Sequence, residues 1–199
     1  MTSPTIELFK KRFTESGGRL FMPTRQDVPT ILKTIQNHER ARRILIEEPV
    51  LRIFPLNTTP FPGASTEILS FGDRKHSTRS AHLERLRDID MAISTVDGLV
   101  AETGSILMVH RNHPGQWHVL LPPAVVFLAS PHQLIGDLEA LFARLSRELE
   151  SLEDGYHLIT GPSKTADIEK QLVIGMHGPR SVYLLLLSDA PSPERDPTA

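Results

Sequence analysis

The sequence predicts an α/β fold, a three-layer α/β/α sandwich around a mostly parallel sheet, and three observations carry that prediction. Runs that are apolar throughout, ILI at 44–46, MAIST at 91–95, AVVFLA at 124–129 and SVYLLLL at 181–187, read as strands buried on both faces. Segments with apolar residues at helical spacing alternate with them. The 199 residues and their 39% apolar share are enough for one core without staples. One domain is expected over residues 1–188, followed by a polar, proline-rich tail at 189–199 that reads as disordered.

Taken in order, residues 4–16 place Ile6, Phe9 and Phe13 on one helical face, with Leu8 at its margin and Gly17 and Gly18 available as a stop. RLFMP then reads as a strand. TRQDVPTILKTIQNHERARR carries Val28, Ile31, Leu32 and Ile35 at helical period, and ILI follows as a strand. Four prolines between Pro49 and Gly63 predict an irregular connection, as does FGDRKHSTRS at 71–80, with STEILSF at 65–71 as a strand between them. HLERLRDID leads into MAIST. SILMVH at 105–110 and YHLIT at 156–160 read as further strands. QLIGDLEALFARLSREL sets Leu134, Leu138, Leu141, Phe142 and Leu145 along one helical face.

Composition narrows the function. Lys and Arg total 22 against 24 Asp and Glu, a formal charge of −2 that offers no electrostatic footprint for nucleic acid or an anionic membrane. There is no cysteine, so this chain alone holds no disulfide, thiol nucleophile, Cys-ligated zinc or thiolate-bound iron–sulfur cluster. The N-terminus alternates charged and apolar residues without the apolar stretch of a leader, and no run of about 18 apolar residues occurs. A cytoplasmic protein is expected.

Three turns carry candidate chemistry. In LITGPSKTADIE a strand ends at Thr160, Gly161 and Pro162 force a turn, and Ser163 or Thr165 is placed to cap a helix starting near Ala166. Free N–H groups, the positive helix end and the Lys164 ammonium would then suit a phosphate or carboxylate. An ordinary capped turn, with Asp167 and Glu169 complementing their own helix, fits the spacing equally well. The GxxxxGK[ST] spacing of a P-loop is absent. In DGLVAETGSILMV, Glu102 is a candidate base or nucleophile, and Thr103, Gly104 and Ser105 complete a turn where backbone could approach a ligand. The alternative is a glycine turn with a solvated Glu. In GMHGPR, His177 is a candidate proton carrier and Arg180 a clamp for an anion, or else Arg180 pairs with Glu169 or Asp167.

HRNHPGQWH brings His110, His113 and His118 into one loop. No cysteine assists and the spacing is not that of a helical ligand pair, so no metal site is assigned. The loop reads as surface, with Trp117 as a lid or interface anchor.

AETGS at 101–105, LLPP at 120–123, ITGPSKTADIE at 159–169 and GMHGPR at 175–180, in that order and spacing, resemble the pattern of the lactate-utilisation protein C or LUD-domain family. The match is dense from about Arg87 to Leu187. Glu102, Thr103 and Gly104 match the family's AETG turn, Gly161 to Glu169 its GPS[RK]TxDIE segment, and His177 to Arg180 its HGPR. Lys164 stands where Arg is common, and the histidine loop lies outside the pattern. The resemblance implies a fold similar to the sugar-isomerase and CoA-transferase-like group. It also implies a cytoplasmic role in oxidising L-lactate to pyruvate, with iron–sulfur clusters on partner proteins and no cofactor on this chain alone. The residues also admit an acyl- or CoA-transferring or ATP-dependent ligase-like enzyme built on Glu102, Lys164 and Arg180, and a regulator that binds a small carboxylate.

Overall fold

The computed structural model describes residues 3–53, 61–70, 79–110, 117–148, 155–166, 172–174 and 178–188. The elements are α1 (Pro4–Glu15), β1 (Arg19–Phe21), α2 (Val28–Glu39), β2 (Arg43–Glu47), α3 (Glu48–Ile53), β3 (Ser65–Leu69) and α4 (Arg79–Leu86). They continue with β4 (Met91–Thr95), β5 (Gly98–Val100), β6 (Ser105–His110), α5 (Trp117–Leu120), β7 (Ala124–Ala129), β8 (Leu134–Ile135) and α6 (Leu138–Glu148). Last come β9 (Gly155–Ile159), β10 (Lys164–Ala166), β11 (Leu172–Ile174) and β12 (Ser181–Leu186). Short 3₁₀ turns at Arg25–Asp27 and Pro131–Gln133 lead into α2 and β8.

Six strands form the expected sheet in the order β1-β12-β7-β4-β2-β3, with every neighbouring pair parallel. Every residue of β7 is buried, and in β12 only the first is not. These strands are apolar throughout because both faces are covered. One face carries Ile44, Ile46, Ile93, Val126, Leu128 and Leu185 and packs on Val28, Leu32 and Ile35 of α2 and Val50 of α3. The other carries Leu45, Ala92, Val125, Phe127, Val182 and Leu184 and packs on Phe9 and Phe13 of α1, Val119 of α5 and the strands of a second sheet.

The second sheet has the order β8-β5-β6-β9, with β6 antiparallel to both neighbours and β8 parallel to β5. SILMVH and YHLIT therefore pair with each other and not with the parallel strands. The outer face of this sheet is closed by Leu141 and Leu145 of α6.

Taken as a series, β2, β3, β4, β7 and β12 lie in the spatial order 2-1-3-4-5 of a doubly wound sheet. From β2 the chain runs outward to β3, then returns across β2 to β4 and continues the other way. The switch point is thus the crevice outside the carboxyl ends of β2 and β4, where open α/β sheets bind ligands.

Four local expectations change. Glu48–Ile53 is helical although Pro49 lies in it, because a proline in the first helical turn removes an N–H that would have no partner there. Leu134 belongs to β8 and not to the helix: Gly136 and Asp137 intervene, and the Asp137 carboxylate accepts the Ala140 N–H at 2.8 Å. Phe142 is 45% exposed and meets Tyr156 edge to face, and Leu8 is also exposed. The helix expected from Ala166 is absent at its start. Lys164–Ala166 instead pairs antiparallel with Leu172–Ile174, whose β-branched residues favour a ladder that satisfies the backbone groups of both segments. Residues 167–171, and the tail at 189–199, lie outside the described residues.

The buried Tyr183 phenol of β12 joins the edge strand β1 to α2. It donates to Glu39 Oε1 at 2.5 Å and accepts from Arg19 Nη1 at 2.7 Å, while the Arg19 guanidinium lies 5.4 Å from the ring centre. Burial, then the Glu39 carboxylate, push its pKa from the ordinary 10.0 up to about 12, with Arg19 opposing. The fold favours the protonated phenol, so this contribution to stability is complete below about pH 10 and is lost as the pH rises through about 12. Thermal unfolding between these pH values should show a steeper alkaline loss of Tm for the wild type than for Tyr183→Phe, and parallel profiles would refute the assignment.

Candidate functional site

The three motif turns meet at one junction. Gly17 and Gly18 connect the end of α1 to the start of β1, so the junction lies at the amino-terminal edge of the parallel sheet. Gly104, at φ +68, faces the last turns of α1: a Cβ there would stand 2.4 Å from Phe13 N and 2.6 Å from the Arg12 carbonyl carbon. Gly161, at φ +74, meets the end of the same helix, where a Cβ would stand 2.6 Å from Ser16 O. Both glycines are required by the left-handed backbone and by a helix at backbone distance. At Gly104 the close neighbour is the backbone of α1, where the sequence had suggested a ligand.

Hydroxyl groups join the two turns. Thr103 Oγ1 and Ser105 Oγ are 2.7 Å apart, and Ser105 Oγ is 2.7 Å from Thr160 Oγ1 at the end of β9. The third turn is fastened by backbone. Ser163 N donates to Pro179 O at 2.9 Å, and the N–H groups of Arg180 and Ser181 both donate to Pro123 O, at 2.9 and 3.1 Å. LLPP, GPSK and GPR are therefore one interlocked unit at the start of β7 and β12.

The charged candidates fall differently. Lys164 is exposed, and its Nζ would lie 3.6 Å from a Cβ on Gly17, over the carbonyl end of α1. That end of a helix dipole attracts a cation, and no helix begins at Ala166 to offer its positive end to an anion. Arg180 is exposed at the same edge. Glu102 is exposed and capping: its Oε2 accepts the Leu138 N–H at 2.9 Å, closing the first turn of α6, and its own N–H donates to Gly136 O at 3.1 Å. Thr165 is placed by its backbone opposite Val173. His113, Asp167, Glu169 and His177 lie outside the described residues.

A second cluster, not anticipated as a unit, stands at the opposite edge. Glu47 ends β2 and Ser94 and Thr95 end β4, at the switch point. Glu47 is 6% exposed, and its Oε2 accepts from Ser94 Oγ at 2.5 Å, Thr95 N at 3.2 Å and Thr95 Oγ1 at 3.3 Å. Its Oε1 lies 3.7 Å from Nε2 of His118, a side chain in α5 that is 1% exposed. One member of the histidine loop, expected at the surface, is thus among the most buried polar groups. The signal for the cluster was the polar ending of two apolar strands, ILIE and AIST. Among the described residues no group of three or more His, Cys, Asp or Glu is placed to hold a metal ion.

These features define a doubly wound α/β protein with a mixed second sheet, glycine turns locked at its amino edge and a buried acid–imidazole pair at its carboxyl edge. The family model of the LUD domain matches residues 6–187, and the chain belongs to the LUD domain family. Among its relatives are the lactate utilization protein C of Shouchella clausii, 31% identical over 61% of this chain and 53% of that protein, and that of Bacillus pumilus, 35% identical over 52% and 46%. The protein of the same name from Halalkalibacterium halodurans is 29% identical over 56% of this chain and 50% of that one. The chain spans about half the length of these curated relatives. A crystal structure of a DUF162 family protein from Deinococcus radiodurans shares the fold, with a TM-score of 0.58 at 15% identity over 92% of this chain and 96% of that one.

Two substitutions separate packing from chemistry at the motif turns. Gly104→Ala should cost at least about 2 kcal/mol in chemical denaturation, because the strained φ and the contact with α1 add. Glu102→Ala should cost about 1 kcal/mol, the loss of a helix cap. A Glu102→Ala chain of unchanged stability would contradict the capping role.

Proposed function

We propose that this chain serves L-lactate utilisation in the cytoplasm, as a cysteine-free subunit in the oxidation of L-lactate to pyruvate beside partner proteins whose iron–sulfur clusters carry the electrons. The observation that carries the reading is the interlocked AETGS, LLPP, GPSK and GPR unit, found in a chain of the LUD domain family whose relatives are named for lactate utilisation. The lack of thiolates supports the division of labour, since electrons would need redox centres held elsewhere. Among the described residues no helix is long and apolar enough to cross a membrane.

Within this reading, the exposed Lys164 and Arg180 stand on segments joined at Ser163 and Pro179, and we assign them the recognition of a carboxylate, on the substrate or on a partner. Thr103, Ser105, Gly161 and Ser163 hold the turns that present them. The acyl-transfer reading is weaker, because the Glu102 carboxylate is engaged as a cap.

Deletion of the gene should abolish growth on L-lactate while leaving growth on glucose intact, and the wild-type chain should restore it. The double variant Lys164→Ala/Arg180→Ala should restore it poorly although it folds, since both side chains are exposed. Normal lactate oxidation in a deletion strain without a second gene of this family would end the proposal.

A further inference from the structure

The Glu47 cluster is costly to the fold and has an apolar alternative. Among the described residues the buried side chains that ionise are Glu47, His118 and Tyr183, and the Tyr183 phenol has its own partners in Glu39 and Arg19. Taking a carboxylate and an imidazole out of water costs several kcal/mol, and well-packed apolar residues of similar size often hold a core as well or better. The neighbours are already apolar: Leu45 and Ala92, two residues before Glu47 and Ser94, point to the same sheet face, and Val119 beside His118 is in the core. Packing does not require an acid and a base at this place.

Their arrangement suits proton transfer. One carboxylate oxygen is held by three donors from the end of β4, which fixes the side chain and leaves the other oxygen toward the imidazole. A fixed carboxylate beside a histidine orients the ring and offsets the charge of the imidazolium. Both ring nitrogens are shielded from solvent, where such interactions are strongest. The pair stands at the switch point between the carboxyl ends of β2 and β4, the place where doubly wound sheets bind ligands.

We propose that Glu47 and His118 form an acid–base pair that takes and returns the C2 hydroxyl proton of a small 2-hydroxy carboxylate, and hydrogen-bonds the C2 oxygen of the matching 2-oxo acid, bound at the carboxyl edge of β2 and β4. The step moves a proton only: the O–H bond of the ligand's hydroxyl breaks as an N–H bond of the imidazole forms, and the reverse transfer restores both. Ser94 and Thr95 are positioning residues that act through Glu47. The ligand class rests on the functional reading above; the acid–base assignment rests on geometry.

The test uses the full chain with ¹⁵N-labelled histidine, titrated separately with L-lactate, pyruvate, glycolate and glyoxylate at millimolar concentrations. The His118 ring signals are identified by their loss in His118→Gln. Saturable movement of these signals is expected, with affinity weakened at least about tenfold in Glu47→Gln. Should Glu47→Gln not fold, Ser94→Ala keeps the test open: it should shift the free-state ring ¹⁵N signals and weaken binding. Binding that leaves the His118 signals unmoved, unchanged affinity in His118→Gln, or no binding of any of the four acids would overturn the pair. A response to glycolate or glyoxylate but to neither lactate nor pyruvate would keep the pair and remove the lactate reading. Full rescue of lactate growth by His118→Gln would do the reverse.

Discussion

The meeting of one helix end with two glycine turns holds this fold together. The last turn of α1 touches the backbone at Gly104, between β5 and β6, and at Gly161, just after β9. Both contacts are too close for any side chain. They bring the second sheet against α1 while Phe9 and Phe13, stacked with ring centres 5.6 Å apart, fill the space between the sheets. One apolar cluster consequently contains Val125 and Leu184 of the parallel sheet together with Leu99, Ile106 and Ile159 of the other. A Cβ at either glycine would push the helix away and open this shared core, a larger effect than the local strain alone.

The same junction separates two kinds of chemistry. In a wholly parallel sheet all amino ends lie at one edge and all carboxyl ends at the other, so motifs that precede β1, β7 and β12 gather on one side. That side holds hydroxyls, glycines, prolines and the exposed Lys164 and Arg180, a set suited to fixing loops and meeting an anion. The buried acid and imidazole, Glu47 and His118, stand at the opposite edge. A ligand held by the cations of the amino edge would therefore not also reach the pair, and recognition of a partner is the role the exposed edge fits best within the proposed system.

Much of this was legible in the sequence because burial on both faces leaves a plain trace. MAIST, AVVFLA and SVYLLLL lack the polar alternation of a solvated sheet, and they are its central strands or next to its edge. The motif turns were legible as turns because Gly104 and Gly161 adopt positive φ. Their partner was not, since nothing local in AETGS or TGPS names the end of α1, some 90 or 145 residues earlier in order of magnitude, as the surface they touch. Lys164–Ala166 was misread for a related reason: a turn followed by small and polar residues resembles a helix start, and the strand that captures it is supplied by Leu172–Ile174.

Glu47 shows the limit most clearly. Next to Glu48 and Pro49 it reads as the solvated end of a strand, and its burial depends on β4 delivering Ser94 and Thr95 and on α5 delivering His118. None of these contacts is within 45 residues in the chain, as the numbering alone shows. What fixes their geometry is the packing of rigid elements: β2 and β4 are paired from Ile44 with Met91 to Ile46 with Ile93, and Val119 anchors α5 in the core. Glu47 is fixed by its bonds to Ser94 and Thr95, and His118 by the anchoring of α5, so the geometry of the pair is set by the elements that carry it. That fixed geometry is what the proposed acid–base role needs.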